Sequence, residues 1–533
     1  MNNEKKRTIW TPGMMLLSSF SIVTIILLLN LGATTLFDMD EPTYAQIARE
    51  IVKTGDWITL RFNGLPWFDK PPLFFWLIGA SFKLFGFNEF AVRLPSALAA
   101  LGTLIITYLL GCAYFGNQRQ GIKTMLITAG CLQFYVIARL AVVDMLLTFF
   151  ITLAIYSFVL WRQGKKNAIL LSYVAMALAT MTKGPVGAII PAAVIIIYLA
   201  QQHRLRDILK MKPLSGLLIY FLLAAPWYLA EYNLYGKVFI DEFFGHRTFT
   251  RYLQPLEQQS GPIYFYIVFL LIGLFPWSLF LPSAITASIK NRRDPLPLIW
   301  AGFIFLFFTG AATKLPNYML PLYPALALTI AGIWPESNPL DIRGQRRAYG
   351  GAIALIAASA LLTWGIFWLA HNKLDQAVAT EQIKRILPVL MILPAGFSIS
   401  CLAAALRREG AIIYKGITLT ALSFITLLGL LIFPALNATK PLPELAAEAA
   451  TLLGNDEPIY SYEMFNASIT YYSERRMLRV KSLQEVSKAL QHRENMLMLV
   501  KQINYDAFPT HIKDSFETAA SAGNILLLKE IPK

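Results

Sequence analysis

Residues 14–34 read MMLLSSFSIVTIILLLNLGAT, a stretch without a charged residue and as long as one membrane crossing. Lys5, Lys6 and Arg7 precede it. No small-x-small cleavage site follows that fits better than a continued span, so the segment reads as an uncleaved first helix rather than a removable signal. The same signature recurs along the chain. Apolar runs near 93–115, 121–138, 143–161, 168–182, 184–200, 214–231, 262–284, 297–312, 317–334, 348–370, 385–406 and 416–436 bring the expected total to about 13 spans. Composition agrees: 56% of the 533 residues are hydrophobic and 15% charged, with a mean hydropathy of +0.52, above the roughly 45–50% apolar share of soluble domains. The fold class expected is an all-α polytopic membrane protein.

Charge assigns the faces. The formal net charge of +15 would suggest nucleic acid in a soluble protein, but here much of the Lys and Arg lies in short loops between apolar runs. These are 116–123, 162–166, 202–212, 289–294, 341–347 and 406–415, which alternate with the other connections and so mark one cytoplasmic side. A nucleic-acid partner is excluded on that reading. Cys112, Cys131 and Cys401 stand alone in apolar stretches, without the spacing of a disulfide framework or a thiolate metal site. The opposite face receives a first long loop (35–92), a second (232–261) and the tail. Within the first loop, Tyr44, Ile47, Ala48 and Ile51 make an apolar stripe at helical spacing, and Leu73 to Phe85 is apolar but too short to span. Interfacial helices are expected there. In the tail, short β-type runs (459–462, 477–480, 496–500, 525–528) alternate with helical stretches, as in a small α/β domain. The division expected is a transmembrane domain over 1–438 and an α/β domain over 439–533.

Seven ionisable residues lie at the edges of these runs on the outer face: Asp40, Glu41, Lys70, Asp144, Lys183, Arg247 and Lys314. Asp40 and Glu41 open a helix before Pro42; a carboxylate there can serve as a general base, or can cap the helix at its positive dipole end. Asp38-x-Asp40 also admits a divalent cation, although oxygen ligands alone at this spacing are common by chance. Lys70, in Trp67-Phe68-Asp69-Lys70-Pro71-Pro72, lies near headgroup level and suits a phosphate, or snorkels beside an aromatic belt. Asp144 is either an N-terminal cap or part of the site, and Lys183 either a snorkelling helix end or a site cation. Arg247 and Lys314 can neutralise a phosphate or pyrophosphate, and Tyr318 can hydrogen-bond it. His246, a lone loop histidine, reads as solvated. There is no P-loop, no G-x-G-x-x-G at a strand-to-helix turn, no H-E-x-x-H and no G-x-S-x-G, which argues against nucleotide hydrolysis and against serine or zinc hydrolysis.

Several of these pieces occur together in order: Asp40-Glu41 with Ala45-x-x-Ala48-Arg49-Glu50, Gly55-Asp56-Trp57, Phe62-Asn63-Gly64, Lys70-Pro71-Pro72-Leu73, Arg93-Leu94-Pro95-Ser96, Thr182-Lys183-Gly184-Pro185 and Lys314-Leu315-Pro316-x-Tyr318. From about residue 35 to 330 the chain resembles the aminoarabinose transferase (ArnT) and protein O-mannosyltransferase superfamily, and its bacterial ArnT-like branch in particular. Trp67 stands where those enzymes usually carry Tyr, and Thr43 where Arg commonly follows the acidic pair. The resemblance implies a GT-C fold and an inverting glycosyltransferase that takes a sugar, 4-amino-4-deoxy-L-arabinose or a related one, from undecaprenyl phosphate. The acceptor it implies is lipid A, at the periplasmic face of the bacterial inner membrane. It implies Asp40 and Glu41 as catalytic and Lys70, Trp67, Asp144, Lys183, Arg247, Lys314 and Tyr318 as substrate-binding. No cofactor is required, with a divalent cation near Asp40 left open. The N-terminus is expected in the cytoplasm, the tail in the periplasm, and the protein as a monomer among membrane lipids. Protein or another envelope glycan remains an alternative acceptor. A flippase or transporter of polyprenyl-linked sugars is an alternative class, although the inverted repeats and midplane charges it calls for are not evident. A structural scaffold would not require this convergence of charge.

Overall fold

The computed structural model describes residues 11–531 apart from 38–39, 256–258, 335–349, 352, 362, 366–367, 369–375, 408–410, 438–439, 441, 455–456, 465 and 493–495. Lys5 to Arg7, Asp38, the basic loop at 341–347 and parts of the expected run at 348–370 lie outside the described residues. The chain divides into two compact units, one of Met1–Leu31, Phe68–Phe74 and Leu94–Phe433, the other of Gly32–Trp67, Phe75–Arg93 and Pro434–Lys533.

The first unit is helical. Its opening helix, Pro12–Leu28, starts where the Thr11 hydroxyl accepts from the Met14 N–H and a proline occupies the first turn, a position that needs no amide donor. Val143–Arg162 packs along Ala168–Lys183, which also packs against Val186–Gln201 and Pro213–Tyr235. The turn between Lys183 and Val186 depends on Gly184, at φ +79°, which closes the first helix and starts the next within three residues. Among the described residues, four helices are long and apolar enough to cross a bilayer: Glu89–Phe115, Val143–Arg162, Pro213–Tyr235 and Ile412–Ala435. Two broken pairs, Gln118–Ala129 with Leu132–Ala138 (bent 72°) and Phe265–Gly273 with Trp277–Lys290 (bent 111°), raise the number to six if each is one span. Other expected runs appear as shorter apolar helices such as Ala168–Lys183; its 16 residues reach about 24 Å, short of the roughly 30 Å hydrocarbon core.

The second unit joins what the sequence kept apart. The expected boundary at 439 isolated the tail, whereas the structure groups the first outer loop, apart from Phe68–Phe74, with it. The physical reason is a set of polar contacts. From the helix Asp40–Thr54, Arg49 donates to the Tyr471 carbonyl (2.5 Å) and lies 4.0 Å from the centroid of its ring, and Lys53 pairs with Glu474 (2.8 Å). The hairpin of β1 (Arg61–Phe62) and β2 (Leu65–Pro66) turns through Asn63 and Gly64, both at positive φ, as an Asn-Gly turn requires. Glu50 accepts both turn N–H groups, and the Asn63 amide exchanges two hydrogen bonds with the Met477 backbone. Burial raises the Glu50 carboxyl above its ordinary range, against hydrogen bonds from Gln46, Gly64 and Asn63 and the charge of Arg476 that lower it.

Further along, β3 (Ile459–Tyr462), β4 (Met477–Val480), β5 (Leu497–Lys501), β6 (Phe516–Ala522) and β7 (Ile525–Glu530) form one sheet in the order β4-β3-β5-β7-β6. The β3–β4 and β3–β5 pairs are parallel and the pairs with β7 antiparallel. Alternation buries both faces: Ile459, Leu497, Leu499 and Leu527 pack with Leu445 and Ala449 of the helix Leu442–Leu452, while Tyr460, Met498, Val500 and Leu528 pack with Val486 of Leu483–His492.

Candidate active site

Asp69, Lys70, Lys183, Arg247 and Arg251 of the first unit line a cavity of about 350 Å³. Asp144 lies in the first turn of Val143–Arg162 and Lys183 ends Ala168–Lys183, so adjacent antiparallel helices bring opposite charges together at 2.5 Å. The cation sits at a helix C-terminus and the anion at an N-terminus, each favoured by the local dipole. The ring of Tyr318, from the short helical turn Pro316–Leu322, lies with its centroid 4.5 Å from the Lys183 ammonium.

Asp69 is the second focus. Its carboxylate meets Lys70 at 2.9 Å, and Arg247 and Arg251 each at 3.7 Å. Pro71 and Pro72 stiffen the chain after Lys70. Arg247 lies on a wide helical segment, Asp241–Thr250, whose Phe243 packs with Trp227 and Phe239, while Phe68 packs on Phe239 and Tyr235. Burial disfavours charge on Asp69, yet the attraction of Lys70, Arg247 and Arg251 outweighs it and holds the carboxyl below the ordinary carboxylate range. Val186, Ile189, Phe249, Leu253 and Phe307 supply apolar wall. An anionic headgroup with a hydrocarbon chain matches this lining; a soluble nucleotide sugar does not need it.

The structure thus brings together Lys70, Asp144, Lys183, Arg247 and Tyr318. Lys314 is placed differently: its ammonium donates to the carbonyls of Thr309 and Ala311 (2.8 and 2.7 Å) and so caps the C-terminus of Leu296–Thr309. Two partners in the site went unread in the sequence. Arg251 is legible as the residue four positions after Arg247, on the same helical face; Asp69 carries no sequence signal beyond its place beside Lys70.

Asp40, Glu41 and Trp67 belong to the second unit. Asp40 is the exposed first residue of its helix. Glu41 is 2% exposed and committed to structure: it meets the Arg93 guanidinium at 3.0 and 2.9 Å and accepts the Phe37 N–H at 2.6 Å. Trp67 packs edge-on against Tyr44 and Phe75, at ring separations of 6.2 and 5.4 Å.

The chain is similar to a family of known proteins. A model of the dolichyl-phosphate-mannose-protein mannosyltransferase family matches residues 69–229. The undecaprenyl phosphate-alpha-4-amino-4-deoxy-L-arabinose arabinosyl transferase of Aeromonas salmonicida is 31% identical over 384 residues, covering 70% of this chain and 69% of that protein. An uncharacterized protein of Aquifex aeolicus is 27% identical over 504 residues, or 94% and 93% of the two chains. Among solved structures, ArnT from Cupriavidus metallidurans bound to undecaprenyl phosphate superposes with a TM-score of 0.84 at 20% identity, covering 97% of this chain and 98% of that one. The fold is therefore that of a GT-C membrane glycosyltransferase. The chain belongs to the aminoarabinose transferase (ArnT)-like family.

Proposed function

We propose that this enzyme moves a sugar, 4-amino-4-deoxy-L-arabinose or a close relative, from undecaprenyl phosphate to lipid A at the periplasmic face of the bacterial inner membrane, working as a monomer. The observation that carries the reading is the cavity in which Lys70, Lys183, Arg247 and Arg251 adjoin an apolar wall. The donor phosphate binds those cations and its prenyl chain follows the apolar lining. Transfer is inverting: the acceptor oxygen forms a bond to C1 as the bond from C1 to the phosphate oxygen breaks, and the electron pair leaves with the polyprenyl phosphate. The fixed cations stabilise that growing charge. Tyr318 supports the phosphate from the side of Lys183, and Asp144 holds Lys183 in place.

Asp40 takes the proton of a hydroxyl acceptor, a role worth about 10²–10⁴-fold, or orients an acceptor phosphate that carries no proton to lose. Glu41 shapes the helix start instead of sharing this chemistry, and Lys314 shapes the loop after its helix. Beside Asp40, Glu41 is held by Arg93 and Asp38 lies outside the described residues, so nothing described bears on a divalent ion there. No step is assigned to one. The tail is assigned to the periplasm and the N-terminus to the cytoplasm.

The test is mass spectrometry of lipid A from cells expressing wild type, Asp40→Asn or Lys70→Ala at matched protein levels. A sugar-sized mass gain with wild type alone is expected. No gain in any strain would overturn lipid A as acceptor and direct the search to proteins or other envelope glycans.

A further inference from the structure

Within the second unit, the four residues Thr34 to Phe37 lead towards the helix that starts at Asp40, and the far end of the chain holds their backbone. The Thr35 N–H and hydroxyl both donate to the Asn437 side-chain oxygen, 402 residues away, at 2.8 and 2.6 Å. The Leu36 N–H donates to the Tyr472 hydroxyl at 2.8 Å, and that hydroxyl donates onward to Glu89 at 2.9 Å. Lys440 donates to the Thr35 and Leu36 carbonyls at 3.4 and 3.2 Å and stands 3.4 Å from the centroid of the Phe37 ring. The Tyr472 phenol, raised by burial and by the charge of Glu89, stays protonated, so both of its bonds persist. The later turns of the same helix meet the tail again through Arg49 and Lys53.

Covalent continuity alone does not call for this arrangement. A connection between a span and an interfacial helix could be an ordinary solvated loop; here Asn437, Lys440 and Tyr472 hold the Thr35 and Leu36 groups, beside Arg93 on the Thr34 and Thr35 carbonyls and Glu41 on the Phe37 N–H.

We propose that the C-terminal part of the second unit, from Asn437 into the α/β fold, is a positioning device for Asp40, in which Asn437, Lys440 and Tyr472 help set the Thr34–Phe37 backbone and with it the direction of the Asp40 carboxylate. This rests on the reading of Asp40 as the group that handles the acceptor. These three are positioning residues: they act through Asp40. A misplacement of about 1 Å at such a group costs on the order of 10²-fold in rate, so their loss appears in kcat rather than in donor KM.

The experiment uses the full chain in lipid nanodiscs, with undecaprenyl-phosphate-linked sugar as donor and the acceptor identified by mass spectrometry as above. Tyr472→Phe and Asn437→Leu are expected to lower kcat by about 10- to 100-fold with donor KM within about twofold. Asn437→Asp, which keeps the accepting oxygen, should stay within about threefold of wild type. Amide exchange over residues 35–54 should quicken in the first two variants and not in the third. Folded Tyr472→Phe and Asn437→Leu proteins with wild-type kcat would overturn the proposal, as would equal losses in Asn437→Asp and Asn437→Leu. If Tyr472→Phe does not fold, the Asn437 pair decides. Asp40→Asn separates the two layers: undiminished turnover there removes the reading of Asp40 itself, whereas an inactive Asp40→Asn beside wild-type clamp variants sinks only the positioning role.

Discussion

Replacing Arg93 with Met tests whether Glu41 is a structural anion. The Arg93 guanidinium reaches both Glu41 oxygens at 3.0 and 2.9 Å, and also donates to the Thr34 carbonyl (2.9 Å), the Thr34 hydroxyl (3.1 Å) and the Thr35 carbonyl (2.9 Å). Both side chains are 2% exposed. Removing one member of a buried pair strands the other, at about 3–5 kcal/mol. In Arg93→Met the Thr34 and Thr35 acceptors lose their donor as well, which puts the loss at the upper end of that range. Changing both residues, Arg93→Met with Glu41→Leu, leaves no stranded charge; the residual cost is the lost hydrogen bonds to the threonines, about 1–3 kcal/mol. The double variant should therefore be more stable than Arg93→Met alone by roughly 2 kcal/mol. Native-state amide exchange over residues 40–54 reads the free energy of local opening and is the appropriate assay. A double variant whose loss equals the sum of the two singles would refute the argument, since the stranded charge would then not be the source of the cost.

The cavity gives a contrast among lysines. Neutralising Lys70, Lys183, Arg247 or Arg251 removes a charge-assisted contact of about 1.5–3 kcal/mol and should weaken donor binding by roughly 10- to 150-fold, whereas Lys314→Met should leave it within about twofold; titration of undecaprenyl phosphate into nanodiscs measures both. Asp40→Asn should lower turnover by about 10²–10⁴-fold while donor affinity and amide exchange over 40–54 stay at wild-type values; turnover within threefold of wild type would count against Asp40. Asp69 gives the pH dependence. Its folded pKa is depressed, so the stability it contributes is present above the unfolded carboxylate value of about 3.9 and is lost as pH falls through the folded one. Asp69→Asn should therefore flatten the acid side of a melting-temperature profile below about pH 4, and an unchanged slope there would exclude Asp69 as its source.

How much of this was legible varies with the physics of each feature. Apolar runs such as 14–34 and 143–161 identify helices because hydrophobic length is a local property. Helix-end position is local too, which is why Lys183 and Lys314 looked alike; the direction of a side chain is not, and only coordinates show Lys183 on Asp144 and Lys314 on its own helix carbonyls. Asp40 and Glu41 are adjacent in sequence but about 100° apart around a helix. Which of them is buried depends on Arg93, 52 residues on, whose partner no local pattern reveals. Asn63-Gly64 was recognisable as a motif, yet its clamp by Glu50 and Met477 depends on tertiary contacts. The union of the first outer loop with the tail stayed hidden for the same reason.

The charge count at the cavity bears on why the site favours transfer over mere donor storage. Among the described residues, Lys70, Lys183, Arg247 and Arg251 bring four formal positive charges to the cavity, and Asp69 in its lining and Asp144 behind Lys183 two negative ones. A sugar on a polyprenyl phosphate is a phosphodiester with one negative charge. When the bond from C1 breaks, the departing monoester carries about −1.5 to −2 at pH 7, as phosphate monoesters do. The net excess of two positive charges thus matches the leaving group better than the bound donor. Interactions that strengthen as charge develops lower the barrier, while those equal in both states only tighten binding. On the function proposed above, the two carboxylates serve that difference: without them four cations would hold the donor, and afterwards the spent polyprenyl phosphate, more tightly than turnover allows.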